Sequence, residues 1–207
     1  MRVKNVDGDK LDEIAEAFSD YEYEENETSL FYQCKGREGV RTYIKVFAVA
    51  GIKSGWVYTC SEKAEGYIMI SEPGSKVNIP GLFGVITGCI KAMGFKGSLQ
   101  YVKDIKNAGM SLESKLKKEK KPCVQIEMLV VRKAYQNQGY MRKLIGIAFE
   151  KADKLGIPCI VSTDGRLKAE KYKHLGFEYY GARRLRGNSF EYDLIRYPKT
   201  KEFEKVK

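Results

Sequence analysis

Hydrophobic and polar residues follow their most regular pattern over residues 124–155. Apolar and polar side chains alternate at the start of residues 124–131, and the last three residues of that segment are all apolar. This pattern predicts a β-strand that is buried on both faces near its carboxyl end. After a polar turn containing Gly139, apolar residues recur at helical spacing over residues 141–155, and Gly156 then ends the predicted helix. We therefore predict a strand–turn–helix unit.

A second strand, a short helix and a hairpin are predicted after this unit. Residues 157–163 form a short apolar segment, and residues 168–177 have the pattern of a helix that is ended by glycine. Residues 178–185 and 190–196 flank a Gly-Asn pair, which is typical of a β-hairpin.

The first 123 residues have a weaker pattern. In chain order it predicts an amphipathic helix over 10–18, an acidic loop over 20–27, strands over 28–33 and 42–49, a hairpin of 55–60 with 66–71, a helix over 80–93, and a second helical stretch from Ser98 to the lysine-rich segment 115–121. Together with the carboxyl-terminal half, these elements indicate an α/β protein with a mixed sheet.

The turn around Gly139 has the features of an anion site. The first N–H groups of a helix lack partners within the helix and bind anions, and a glycine lets a phosphate approach the main chain. Four basic residues flank the turn: Arg132, Lys133, Arg142 and Lys143. The alternative is an ordinary turn with a solvated basic rim.

Two motifs resemble those of the GNAT family of acyl-CoA-dependent N-acetyltransferases. Gln136-Asn137-Gln138-Gly139-Tyr140-Met141 is similar to the family's phosphate-binding motif, with Met141 where glycine or alanine is usual. Tyr172-Lys173-His174-Leu175-Gly176-Phe177 matches its Tyr-x-x-x-Gly-Phe motif in full. The resemblance covers about residues 122–197.

This resemblance implies a fold and an activity. The fold would be α/β, with a mixed, mostly antiparallel β-sheet flanked by helices and extra helices before the CoA-binding strand. Because 207 residues is typical of one domain, we expect a single N-acetyltransferase domain over residues 1–207. The implied reaction is direct transfer of an acetyl group from acetyl-CoA to a primary amine on a small molecule or peptide.

The resemblance also implies which residues hold the cofactor. The main chain of Leu129, Val130 and Val131 would contact the pantetheine arm as an added strand does. The N–H groups from Asn137 to Arg142 would face the pyrophosphate. The expected cofactor-binding residues are Leu129, Val130, Val131, Gln136, Asn137, Gln138, Gly139, Tyr140, Met141 and Arg142.

Two residues are candidates for catalysis. By resemblance, Tyr172 would lie near the CoA sulfur and protonate the leaving thiolate, or it would only pack its helix onto the sheet. Glu127 lies on the strand that leads to the turn, where family members often place a carboxylate base. It is either the general base, acting directly or through a water, or a structural hydrogen-bonding residue.

The acceptor cannot be chosen from the sequence. The run Tyr21, Glu22, Tyr23, Glu24 and Glu25 would attract a cationic amine, whereas Arg183, Arg184 and Arg186 would hold a carboxylate. Either group could equally be solvated surface. A homodimer is possible.

Composition narrows the class of protein. Five scattered cysteines without a Cys-x-x-Cys spacing and a single histidine argue against disulfides and a metal site, and favour free thiols in the cytoplasm. No uninterrupted apolar run reaches about 18 residues, and the amino terminus lacks an apolar signal core, so no membrane partner is expected.

Charge leaves two further interpretations open. The first 30 residues hold ten acidic and three basic residues, whereas the whole chain has a net charge of +10. The basic remainder would attract polyanionic CoA. A CoA-binding module with weak or no catalysis is one alternative, suggested by Met141 and by the undecided general base. A basic nucleic-acid-binding protein is the other, although no nucleic-acid motif is present.

Overall fold

A six-stranded sheet forms the centre of the protein. The computed structural model describes residues 1–5, 8–20 and 33–199. The strands are β1 (Val57–Thr59), β2 (Gly66–Ser71), β3 (Val124–Val131), β4 (Cys159–Thr163), β5 (Glu178–Arg184) and β6 (Phe190–Arg196). Their order is β1-β2-β3-β4-β6-β5, and only β3 and β4 are parallel. The predicted mixed, mostly antiparallel sheet is therefore confirmed.

Helices cover both faces of this sheet. They are α1 (Gly8–Ser19), α2 (Gly36–Ser54), α3 (Ile79–Asn107), α4 (Leu112–Lys118), α5 (Tyr140–Leu155) and α6 (Arg166–His174). Helices α1, α2 and α3 share one hydrophobic cluster with β2 and β3, and α5 and α6 share another with the opposite face. The extra helices before β3 are α3 and α4, as expected.

The prediction of a strand over residues 42–49 is wrong, because these residues lie in the middle of α2. The β-branched and aromatic residues there suggested a strand. The buried residues Val40, Ile44 and Ala48 instead recur every four positions, which is the helical period. The predicted strand over residues 28–33 and the acidic loop over residues 20–27 lie mostly outside the described residues.

Strand β3 is not buried on both faces at its carboxyl end, so that prediction is also wrong. Burial alternates along its whole length, and Leu129 and Val131 are only half-buried. Pairing with β2 shifts register between Met69 and Ile70, whose partners are Met128 and Ile126, so Glu127 is the extra residue of a β-bulge. Leu129, Val130 and Val131 pack against the hydrophobic core and also line a cavity.

The two helical stretches predicted between residues 80 and 121 are divided differently in the structure. Helix α3 runs through both of them as far as Asn107, with a kink at Gly94, where φ is 75° and ψ is 162°. Helix α4 then covers part of the lysine-rich segment. By length and composition α3 could cross a membrane, and only 17% of its most apolar stretch is buried. A soluble helix can meet the same two criteria, so the expectation of no membrane span stays a prediction.

Candidate active site

The sheet opens between its two parallel strands. Pairing of β3 with β4 covers Val124 with Cys159, Gln125 with Ile160 and Ile126 with Val161. Beyond these pairs β3 continues for five residues and β4 for two, without further pairing between them. The opening leaves room for a ligand beside the carboxyl end of β3.

A cavity of about 280 Å³ lies at this opening, beside the amino terminus of α5. The expected cofactor-binding residues that line it are Leu129, Val130, Val131, Gln136, Asn137, Gly139, Tyr140 and Met141. Gln138 and Arg142 are not among its lining residues. The Gln138 side-chain amide donates to the Ala134 carbonyl (2.9 Å), and Arg142 is exposed. We call this cavity the donor cavity.

The turn before α5 has an unusual backbone. Gly139 is the amino-terminal cap of the helix, with φ 79° and ψ 5°, and Asn137 also has a positive φ of 60°. A Cβ at Gly139 would have nothing within 4 Å, so the glycine is needed for its left-handed conformation and leaves the approach to α5 open. No side chain caps the first N–H groups of α5, which suits an anion.

The cations at the donor cavity differ from those that flank the turn in sequence. The Arg132 guanidinium donates to the Glu13 carboxylate of α1 (2.8 Å), and Lys143 lies over the Tyr140 ring. Lys168 and Lys171 of α6 line the cavity instead. Neither lysine was predicted from the sequence as a binding residue, although Lys171 and Tyr172 follow Lys168 by three and four residues, which places all three on one side of the helix.

A second cavity of about 300 Å³, which we call the acceptor cavity, adjoins the first. Its aromatic lining residues are Phe18, Tyr43, Phe47, Tyr101 and Tyr172. Among the residues that the structure describes, its acidic lining residues are Glu127, Asp164 and Glu191, and its basic lining residue is Lys168. The residues shared by both cavities are Phe18, Leu129, Lys168 and Tyr172. Of the two catalytic candidates, Tyr172 therefore lines both cavities, and Glu127 lines the acceptor cavity next to their shared residue Leu129.

Glu127 is held in place by two hydrogen bonds. Its carboxylate accepts from the Ser71 hydroxyl (2.7 Å) and from the Gln125 side-chain amide (3.2 Å). Burial raises the pKa of the carboxyl above its usual value, and these two hydrogen bonds partly offset the rise. A carboxylate with a raised pKa is a better proton acceptor than an exposed one, which is what a general base requires.

Tyr172 is buried, with 7% of its surface exposed, and its ring meets the Phe177 ring edge to face at 5.6 Å. Burial raises its phenol pKa above the usual value, so the hydroxyl keeps its proton at neutral pH. The residue thus packs its helix and also borders both cavities.

Neither of the two groups that the sequence suggested for acceptor binding is placed in the acceptor cavity by the described residues. Residues 21–25 lie outside the described residues. Arg183 donates to the carboxylates of Glu191 and Asp193, the latter at 3.0 Å, and Arg184 donates to the Gly187 carbonyl. Arg186 is exposed and does not line the acceptor cavity. These partners leave Arg183 and Arg184 engaged within the hairpin.

Cysteines and metal-binding groups contribute nothing to this site within the described part of the chain. All five cysteines are free thiols, and none lines either cavity. Burial raises the pKa of Cys123 to about 11 and that of Cys159 to about 12, which makes their thiolates scarce. The described residues contain no group of three or more His, Cys, Asp or Glu residues that could hold a metal ion.

A sheet opening with an anion-binding turn beside a separate acceptor cavity is typical of an acyltransferase that uses a coenzyme A thioester. The sequence model of the acetyltransferase (GNAT) family matches residues 11–177, and the chain belongs to this family. Enzymes of the family transfer an acyl group from acetyl-CoA. No curated protein matches the sequence.

Solved structures share the fold. PH1933 from Pyrococcus horikoshii OT3 superposes with a TM-score of 0.55 at 15% identity, over 97% of this chain and 98% of that one. Drosophila melanogaster polyamine N-acetyltransferase, which catalyses the formation of N-acetylagmatine, gives a TM-score of 0.54 at 11% identity, over 94% and 98%. At these identities the likeness establishes the fold only.

A further match is local. Ribosomal-protein-S18-alanine N-acetyltransferase from Escherichia coli aligns at 19% identity with a TM-score of 0.34. The alignment covers 38% of this chain and 56% of that protein.

Proposed function

We propose that this protein transfers the acetyl group of acetyl-CoA directly to a cationic primary amine. The observation that carries the proposal is the meeting of the donor and acceptor cavities at Tyr172, with the Glu127 carboxylate in the acceptor cavity. A thioester held at this junction would have an acid on one side and a base on the other.

The acceptor must first lose a proton. An ammonium group with a pKa of ~10.4 is neutral in only about one molecule in 2,500 at pH 7, which corresponds to ~4.6 kcal/mol. Glu127 would accept this proton, directly or through a water. The amine nitrogen then attacks the thioester carbonyl, the carbon–sulfur bond breaks, and the Tyr172 hydroxyl would protonate the leaving thiolate.

The lining of the acceptor cavity supports a cationic acceptor with an apolar body. Among the described residues, three carboxyl groups and one lysine line the cavity, and because that lysine pairs with Asp164 at 2.8 Å, the acidic character comes from Glu127 and Glu191. Arg183 neutralises part of the charge of Glu191. Tyr43 and Phe47, which stack at 6.0 Å, form an aromatic wall suited to an apolar chain or ring and to a cation. Agmatine and other polyamines are therefore sensible first acceptors to assay.

Direct transfer is supported by the position of the thiols. An acetyl-enzyme mechanism would need a nucleophile such as a thiolate between the two cavities. Among the described residues no cysteine lines either cavity, and burial disfavours ionisation of Cys123 and Cys159.

Two measurements test the proposal in sequence. The first is a thermal melt with acetyl-CoA, where ligand at 100 times its dissociation constant adds ~2.7 kcal/mol and should raise the midpoint by about 5 °C. The second is thiol release with matched cationic, neutral and anionic amines. We expect saturable turnover that favours the cationic amines.

Each alternative predicts a different result. A midpoint shift without turnover on any amine would identify a CoA-binding module. If the midpoint does not shift at millimolar acetyl-CoA and the protein binds nucleic acid in a salt-sensitive way, a basic nucleic-acid-binding protein would be favoured. The variant Glu191→Gln should raise the KM for cationic acceptors, whereas Glu178→Gln on the exposed start of the same hairpin should not.

A further inference from the structure

The buried positions of helix α3 are mostly small residues, with Met93 as the large apolar exception, and most of its large apolar residues are exposed. Gly81, Gly88 and Ala92 are buried. A Cβ at Gly88 would overlap the Val46 side chain and one at Gly81 would lie 3.1 Å from Ala50, so these glycines allow α3 to pack closely on α2. In a water-soluble helix, the large apolar residues usually occupy the buried stripe instead.

The outer face of α3 is apolar on both sides of the kink at Gly94. Its exposed large residues are Ile79, Leu82, Phe83, Ile86, Ile90, Phe95, Leu99, Val102 and Ile105. Phe83 is 66% exposed and Phe95 64%. An exposed apolar surface that runs the length of a 29-residue helix usually marks an interaction site.

The exposed charged residues of α3 are all positively charged. Four lysines are exposed: Lys91, Lys96, Lys103 and Lys106. The only acidic residue of the helix is Asp104, which is 9% exposed and accepts a hydrogen bond from Gln100. In a twofold dimer this surface would meet its own copy, and α3 has no exposed carboxylate that could pair with the lysines. An anionic surface complements it.

We propose that the outer face of α3 docks onto the surface of an anionic lipid bilayer, with the helix lying in the plane of the membrane. Exposed phenylalanine, leucine and isoleucine together with exposed lysines are typical of interfacial helices, and in α3 the lysines begin at Lys91 and are concentrated after the kink. The helix does not cross the bilayer, because its inner side packs on α2 and contributes Tyr101 to the acceptor cavity. The sequence alone predicts no membrane partner, because lysines interrupt the apolar residues and only the folded helix gathers them on one side.

The test is sedimentation of the full-length protein with lipid vesicles. One set contains phosphatidylcholine alone, and the other contains phosphatidylcholine and phosphatidylglycerol in equal parts. We expect binding to the anionic vesicles to exceed binding to the neutral ones by about tenfold or more, and to fall as salt is added.

Two pairs of variants locate the binding surface. Phe83→Ser should lower binding about tenfold, since it removes one aromatic side chain from the lipid. Leu155→Ser, at an exposed residue on α5, should not. Lys103→Glu should weaken binding to anionic vesicles only, whereas Lys154→Glu on α5 should leave it unchanged. The midpoint shift with acetyl-CoA checks that each variant is folded.

Three results would overturn the proposal. One is no sedimentation with anionic vesicles. Another is binding that Phe83→Ser and Lys103→Glu leave unchanged. The third is a dimer in solution, with twice the 23.6 kDa mass of the chain, that does not bind vesicles and that Phe83→Ser converts to a monomer. This result would identify α3 as a dimer interface.

Discussion

The Glu127 carboxylate accepts a 2.7 Å hydrogen bond from the Ser71 hydroxyl at the end of the neighbouring strand. Ser71 pairs with Gln125 in the sheet, and Gln125 donates the second hydrogen bond to Glu127. Glu127 is the extra residue of the β-bulge and has no pairing partner on β2, and these two donors hold its side chain. The pair Glu127 and Ser71 thus gives the proposed base both an orientation and a tuned pKa.

The first prediction concerns Glu127 itself. Glu127→Gln removes the proton acceptor and keeps the size of the side chain, so kcat should fall about 100-fold or more. The acid limb of the pH–rate profile should disappear with it. The midpoint shift with acetyl-CoA should remain, because Glu127 does not line the donor cavity. An unchanged pH profile would leave Glu127 with a structural role only.

Ser71→Ala should move the acid limb without removing it. The Ser71 hydroxyl lowers the pKa of the Glu127 carboxyl, which burial raises, so its loss should raise that pKa further. Since the base works when deprotonated, kcat/KM should then begin to rise at a higher pH than in the wild type. The measurement is kcat/KM against pH.

Ser61→Ala is the matched control for this change. Ser61 donates to the Glu65 carboxylate at 2.9 Å, and neither residue lines a cavity. The acid limb should therefore stay in place. Equal shifts in the two variants would rule out a specific link between Ser71 and the base.

Tyr172→Phe should separate chemistry from binding. The phenyl ring keeps its packing against Phe177 but cannot protonate the thiolate. We expect kcat to fall about tenfold or more and the KM for acetyl-CoA to change little. The loss should be partial, because a thiol with a pKa near ~8.5 leaves fairly well unassisted. Tyr179→Phe, at an exposed residue of β5, is the control, and wild-type kcat in Tyr172→Phe would leave only the packing role.

The two ends of α5 provide a control for the anion-binding turn. Gly139 and Gly156 cap opposite ends of α5, both have left-handed φ, and a Cβ at either would have nothing within 4 Å. Replacement by glutamate should therefore cost a similar ~1 kcal/mol of backbone strain at each. Only Gly139→Glu places a negative charge at the amino terminus of the helix, so it alone should abolish the midpoint shift with acetyl-CoA. Equal loss in both variants would indicate strain and not charge.

Lys171→Met should weaken donor binding. Lys171 lines the donor cavity, and loss of one charged contact to a phosphate should raise the KM for acetyl-CoA about tenfold with little effect on kcat. Lys173→Met is the control, because Lys173 pairs with Glu170 at 3.0 Å and does not line the cavity. Steady-state kinetics with varied acetyl-CoA would reveal the difference.

Much of the donor half could be predicted from the sequence. The strand, turn and helix over residues 124–155 and the short helix with Tyr172 lie where local patterns predicted them. Patterns of this kind depend on side-chain spacing within one element and on the conformation that glycine permits, and both can be read from neighbouring residues. Family membership and fold class are confirmed, whereas the roles of the site residues remain predictions.

The acceptor half could not be predicted in the same way. Tyr43 and Phe47 lie in a segment that was predicted as a strand, and Tyr101, Asp164 and Glu191 come from three other parts of the chain. The bulge at Glu127 depends on how β2 pairs with β3, which no local pattern specifies. Their convergence on one cavity is a result of packing between distant segments.

Local spacing along the chain therefore determined most of the helices, the strands of the sheet and the position of the glycine turn. Tertiary structure alone decided that β3 and β4 separate, that the carboxyl groups of Glu127 and Glu191 share a cavity, and that the large apolar residues of α3 face outward. The physical reason is that the hydrogen bonds of a helix and the backbone conformation of a turn depend on residues that are close in sequence. The burial of a side chain, and with it the pKa of a carboxyl group, depends on segments that are distant in sequence.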